Sequence, residues 1–450
     1  MMKRDKAILA VIIAATIVVV ISVFNVNKEY IRIENAKPLA IQSWKSDGGA
    51  KVMYVHAPQL PMVDIRLVFD AGSARDNGKP GVAMVTNSML DLGAGQWTTD
   101  EIAERFDSVG TQFGNDSMRD MAILSLRSLT EKVLLDKSIE TLNAILTQPK
   151  FENDELERTR KQVLISLRNQ QQSPGTIAGK TLYKTLYKGH PYATPIMGTT
   201  ESIRQITRDD LLSFYKKYYV SKNAVIAIVG DINREQAEEL VEKIFKGLPK
   251  GKHAESISTP EPLKEAVNVH IEHPSTQTHI LIGQPGMKRG DKDYLALYVG
   301  NHILGGSGFG SRIVEEIREK RGLAYSSYSY FTPMRVEGPF IMGLQTANNN
   351  SDEALKIIKQ VLREFIDKGP TEKELLHAKK NITGGFALKV DSNKDIIGYL
   401  GMIGFYDLPL SYLRTFNDHV EAITIEQIKD AFKRRVDPDK MAVITVGARQ

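Results

Sequence analysis

The sequence has no cysteine, and that absence alone excludes disulfides, thiolate zinc sites, iron–sulfur clusters and a cysteine nucleophile. It does not fix a compartment, since an exported protein can manage without disulfides. An excess of one charge is also missing: 59 Lys and Arg face 54 Asp and Glu, a net charge of +5. With no dense basic run interleaved with aromatics, a dedicated nucleic-acid binder is excluded. Histidine is sparse and scattered. The one cluster, His270, Glu272, His273 and His279, reads as a solvated strand end, because residues three apart on a strand point to opposite faces. A phosphate loop is lacking too: no Gly-Lys-Ser/Thr follows the glycine run Leu304-Gly-Gly-Ser-Gly-Phe-Gly-Ser311.

A long apolar run occurs once. Ala7 to Phe24 is an uncharged stretch of 18 residues preceded by Lys3, Arg4 and Lys6. As a helix it would extend ~27 Å, close to the hydrocarbon thickness of a bilayer, and the basic residues favour a cytoplasmic amino terminus. A cleaved signal peptide is the alternative, but the run ends in Ser22-Val23-Phe24-Asn25 without a small-x-small cleavage site. The expectation is a transmembrane anchor over residues 7–24 after a basic cytoplasmic stub, residues 1–6. That would make a single-pass protein of a bacterial inner membrane, with the bulk of the chain periplasmic.

The remainder repeats itself. Ile206–Gly230 and Ile423–Gly447 align without a gap at an offset of 217 residues. Each opens with Ile-Thr and carries Asp or Gln three residues after the Thr. That pattern predicts a capped helix start at Thr207 and at Thr424. An apolar strand follows in each copy, Ala224–Val229 and Ala442–Val446, and stops at a glycine. Weaker echoes pair Lys132–Leu146 and Asp154–Leu167 with Asp352–Ile366 and Thr371–Ala387. The strand-like runs Val63–Asp70 and Thr278–Gly283 pair likewise. Residues 248–262 are polar and broken by Pro and Gly, as in a linker. A period this long is no solenoid unit. It predicts a duplicated α+β domain over 45–247 and 263–450, each a mostly antiparallel sheet with helices on one face.

Several stretches give the repeat a family likeness. Ala71-Gly72-Ser73 with Gly81-Val82-Ala83, His190-Pro-Tyr-Ala-Thr-Pro-Ile-Met-Gly198, Asn223–Asp231 and Ser311–Tyr325 together resemble the pitrilysin/insulinase superfamily of zinc metallopeptidases. The likeness is strongest to its short, processing-peptidase-like members and runs from about residue 45 to the end. The resemblance implies two similar domains facing each other like a clam around a substrate chamber. Active members carry an inverted zinc motif, His-x-x-Glu-His, on the helix after the Gly-x-Ala turn, with a further Glu ligand downstream. The matching positions here are Met84, Asn87 and Ser88, and Ser166 occupies the place of the downstream ligand. A thioether and a neutral hydroxyl are poor zinc ligands, and an amide cannot act as a base. The resemblance thus implies a degenerate site and no metal or other cofactor in this chain.

The second half keeps an Arg and a Tyr seven residues apart, Arg318 and Tyr325, which in the family reach toward the zinc. The Arg can bind a substrate carbonyl or carboxylate, and the Tyr hydroxyl can stabilise an oxyanion. A solvated arginine is the plain alternative, since Ile313, Val314 and Ile317 mark the opposite side of its helix as the buried one. The glycine run reads as a flexible connection, with contact of Gly305, Gly306 and Gly308 to an extended substrate backbone also open. The expected function is that of a zinc-less subunit which closes the chamber of a zinc-bearing homologous partner. There it would supply Arg318 and Tyr325 to hydrolysis of a peptide or unfolded protein. A purely structural pseudo-peptidase and a stand-alone peptide-binding protein are the alternatives.

Overall fold

The computed structural model describes residues 40–449. Two sheets organise them. The first contains β1 (Gln42–Lys45), β2 (Lys51–His56), β3 (Met62–Phe69), β4 (Gln112–Ser117), β5 (Ala122–Leu129) and β6 (Ala224–Gly230). The second contains β7 (Val267–Glu272), β8 (Gln277–Met287), β9 (Ala324–Phe331), β10 (Gly338–Ala347) and β11 (Ala442–Gly447). The spatial orders are β1-β2-β6-β3-β5-β4 and β7-β11-β8-β10-β9. Without β1 the two orders are identical: first strand, last, second, fourth, third. In both, the first and last strands run parallel and the other pairs antiparallel. The duplication seen in the sequence is therefore a duplication of topology.

Local chemistry sets the matching elements. Thr207 caps helix Arg208–Tyr218 in a capping box with Asp210, and Thr424 caps helix Ile425–Arg435 in one with Gln427. The glycines that end β6 and β11 occupy equivalent registers, Gly230 opposite His56 and Gly447 opposite Glu272. A Cβ at Gly230 would lie 2.3 Å from the Met62 carbonyl oxygen, and one at Gly447 would lie 2.5 Å from Thr278 Oγ1. Only glycine fits where the neighbouring strand comes so close.

The halves are tied by an exchange of helices. Helix Pro174–Leu186 of the first half packs on β8 and β11, and helix Asn393–Phe405 of the second packs on β2, β3 and β6. Ala178, Leu182 and Leu186 join Ile341, Ala442, Ile444 and Val446 in one buried cluster. Because each sheet is covered on its second face by the other half, β6 is buried at every residue and reads as a continuous apolar run. Residues 248–262 form no helix or strand. They are strapped to the body by Arg75, which donates to the Glu255 carbonyl at 2.6 Å, and by Ala254 N–H donating to Asn223 Oδ1 at 2.9 Å.

Glycines in helix Asn393–Phe405 show how tight this exchange is. A Cβ at Gly404 would come within 2.5 Å of Val225 Cγ1 and 2.9 Å of Met53 Cγ. Gly404→Ala should therefore destabilise by about 1–3 kcal/mol, despite the gain of helix propensity. At Gly384, exposed on helix Glu372–Phe386 with open space around a Cβ, Ala should instead stabilise by about 0.5–1 kcal/mol. Urea midpoints of the two variants check the pair, which should move in opposite directions.

One expectation is corrected. A membrane span needs about 20 apolar residues in succession, and no helix among the described residues is long and apolar enough to cross a membrane. The longest, Asn153–Gln170 and Ser351–Lys368, are amphipathic and charged. The anchor expected at 7–24 lies outside the described residues. The single-pass, inner-membrane and periplasmic assignments that rested on it, and the membrane as a partner, have no support in the structure.

Candidate functional site

Helix Val82–Ser88 starts at Gly81, whose φ of 94° suits glycine. The buried Asp76 caps it, accepting from Gly81 N–H at 2.8 Å and Ala83 N–H at 3.0 Å. Burial pushes this carboxyl up to about 7, outweighing the two backbone hydrogen bonds that pull it down. The folded state thus holds a proton that the unfolded chain releases near the ordinary value of 3.8. This contribution to stability is full below pH ~4 and is lost as pH rises through about 7. The free energy of urea unfolding should decline across that window, and Asp76→Asn should flatten the decline.

The three positions that match the zinc motif have become structure. Asn87 is fully buried. Its Nδ2 donates to the Asp116 carbonyl at 2.8 Å and toward the Ile123 carbonyl at 3.4 Å, and its Oδ1 accepts from the Tyr219 hydroxyl at 2.9 Å. Asp116 and Ile123 are paired across β4 and β5, so the amide clips that hairpin to the helix. Met84 packs against the first-half core, and the Ser88 hydroxyl donates to the Val85 carbonyl at 3.0 Å. Ser166 is half-buried on helix Asn153–Gln170. These residues do not fit zinc: the set offers no imidazole, carboxylate or thiolate. Among the described residues no group of three or more His, Asp or Glu side chains could hold a metal. His270 contacts Thr445 at 3.0 Å and Glu272 at 3.3 Å.

The other half presents a different arrangement. Ser311 is buried at the start of the helical segment that carries Arg318, its hydroxyl donating to the Gly308 carbonyl at 2.8 Å. Ile313, Val314 and Ile317 are buried, as their spacing requires. The turn Glu315–Glu319 is π-helical, a local widening found often at functional sites. Arg318 and Tyr325 are brought together. The guanidinium carbon lies 4.4 Å from the Tyr325 ring centroid and 4.5 Å from that of Phe309. Two rings, 82 % and 71 % exposed, thus flank the cation, orienting its plane while its N–H edge stays available. Tyr325 stands on β9, which is hydrogen-bonded to β10 alone and forms the edge of its sheet.

Phe309 was not singled out from the sequence, and its only signal was an aromatic inside a glycine run. The run itself is only partly a flexible connection. A Cβ at Gly305 would lie 2.5 Å from Ser329 Oγ, and one at Gly306 would lie 2.7 Å from Asn301 Nδ2. Both glycines admit the Asn301–Ser329 pair, in which Ser329 Oγ donates to Asn301 Oδ1 at 2.7 Å and Asn301 Nδ2 donates to the Ser329 carbonyl at 3.0 Å. Gly308, at a φ of 67°, faces open space. No hydrogen bond or ring contact among the described residues joins Arg318 or Tyr325 to Met84, Asn87, Ser88 or Ser166.

Comparison with known proteins bears on this pattern. Residues 51–200 match the family model for insulinase (peptidase family M16), and residues 205–382 match that for the peptidase M16 inactive domain. The crystal structure of a peptidase M16 inactive domain from Pseudomonas fluorescens is 42% identical. It covers 92% of this chain and all of its own, with a TM-score of 0.88. The chain belongs to the M16 peptidase family. Among its M16 relatives, a protein of Helicobacter pylori named non-peptidase homolog YmxG is 27% identical over 404 residues, 89% of this chain and 92% of that one. A Bacillus subtilis protein named as an uncharacterized zinc protease is 26% identical, over 78% of this chain and 85% of its own. In this M16 chain, the two matched models meet at helix Thr200–Gln205, the first ending at its first residue and the second beginning at its last.

Proposed function

We propose that this chain is the zinc-less subunit of a heteromeric M16 metallopeptidase, placing Arg318 and Tyr325 in a chamber completed by a zinc-bearing homologue. One asymmetry supports the reading. The helix that would carry zinc has been absorbed into the core through Asn87, whereas Arg318, half-buried, remains stacked on the exposed Tyr325. A guanidinium edge beside a phenol suits a peptide carbonyl: the Arg binds it, and the Tyr donates to the oxyanion that forms on attack. The substrate class is a peptide or unfolded protein, and the zinc and general base belong to the partner.

The test mixes purified chain with a homologue bearing intact His-x-x-Glu-His. The chain alone should cleave no peptide, while the mixture should co-elute and show chelator-sensitive hydrolysis well above that of the homologue alone. A mixture no more active than the homologue, with no co-elution, overturns the proposal.

A further inference from the structure

Where the two halves meet they enclose a cavity of about 380 Å³, within the range of small-molecule sites. Three arginines line it: Arg66 and Arg119 from the first half, Arg289 from the second. Arg66, on β3, lies along helix Asn393–Phe405. A Cβ at Gly398 would stand 3.3 Å from its Nη1, and one at Gly401 would stand 3.2 Å from its Cδ. The two helix glycines make room for the arginine. Arg119 stacks 3.5 Å over the Tyr183 ring, and its Nε donates to the Tyr192 carbonyl at 3.1 Å. Arg289 sits between Tyr294 and Tyr406, 5.7 and 5.6 Å from their centroids.

These arginines differ from their neighbours. Arg75 and Arg127 make paired hydrogen bonds to Asp70 and Asp64. Among the described residues none of Arg66, Arg119 and Arg289 makes an ion pair, and the Nε groups of Arg66 and Arg289 are buried without a partner. Asp120, in the same wall, is already engaged. It accepts from the hydroxyls of Tyr192 at 2.5 Å and Tyr406 at 2.9 Å, and from Arg335 N–H at 2.7 Å. Asp116 acts on Arg66 only at longer range. Three half-buried cations that line one cavity without an ion-pair partner are costly to a fold that gains nothing from them. The rest of the wall is largely apolar, with Val68, Ile123, Pro333, Met334 and Met402, and it reaches the surface at Met118, which is 45 % exposed.

We infer that this cavity is a binding site for a small carboxylate with an apolar body, the head held by Arg66, Arg119 and Arg289 and the body by the methionine-rich wall. Guanidinium groups match a carboxylate in shape and charge, and the wall supplies the hydrophobic contact. Isothermal titration of the purified full-length chain uses octanoate as probe, with octan-1-ol and inorganic phosphate as the uncharged and bare-anion arms. Octanoate should bind saturably at one per chain, and octan-1-ol and phosphate should not. Arg66→Gln and, independently on the other half, Arg289→Gln should each weaken octanoate binding by roughly tenfold or more. Both should leave the thermal midpoint of the free protein unchanged or higher, since each removes an unpaired charge. Octanoate affinity unchanged in both variants overturns the inference. So does the absence of octanoate binding, or binding of phosphate in its place.

Discussion

Tyr325→Phe is expected to lower kcat of the complex with a zinc-bearing partner by roughly 10²–10³, about 2.7–4 kcal/mol, with assembly unchanged. The expectation follows from where the hydroxyl stands. Tyr325 is 82 % exposed on the edge strand of its sheet, so the loss of one oxygen removes no internal packing and leaves the fold alone. The ring, and its stacking with Arg318 at 4.4 Å, survive the change to Phe, which isolates the donor. Arg318→Ala should act at least partly through substrate binding and raise KM. Phe309→Ala, which removes one wall of the stack around Arg318, should raise KM by a smaller factor while sparing kcat. Steady-state kinetics on the reconstituted complex separates the three. Full activity after Tyr325→Phe and Arg318→Ala together would leave only a scaffold.

The parts of this structure that were legible in the sequence are those dictated by near neighbours. Thr207 with Asp210 and Thr424 with Gln427 are capping boxes of four residues, and apolar runs placed β3, β6 and β11 within one residue, while β8 extends four residues past its expected end at Gly283. The duplication was legible because both copies kept these local signals in register. What joins the halves was not. The exchange of helices Pro174–Leu186 and Asn393–Phe405 rests on contacts between elements far apart in the chain, and no local pattern encodes it. Arg66 shows the consequence. On β3 it has the polar-residue spacing of a solvent-facing position, yet a helix from the other half lies over it. Asn87 shows the same limit in reverse. Its identity announced the loss of a general base, but its role as a clip between Tyr219 and the Asp116 carbonyl depends on residues 132 and 29 positions away.

That clip makes the reverse substitution damaging. Asn87→Glu, which rewrites the position as the base of an active M16 peptidase, should destabilise the chain by about 3–5 kcal/mol at neutral pH, as for other uncompensated buried charges. The longer carboxylate could still accept from the Tyr219 hydroxyl. The Asp116 and Ile123 carbonyls, however, would lose the amide donor and face a charge of the same sign as their own oxygens. The glutamate would relieve part of this by taking up a proton, so the loss should shrink as the pH is lowered. A loss of this size is a large fraction of the stability of an ordinary fold. Adding Met84→His and Ser88→His should not rescue it, because a motif on a helix whose base position has a core-filling role has no carboxylate free to orient toward a metal-bound water. Urea unfolding between pH 5 and 8 and elemental analysis after dialysis decide the matter. A triple variant with the parent's stability and one zinc per chain would show that the helix is still a metal-site scaffold, with Asn87 a passive replacement.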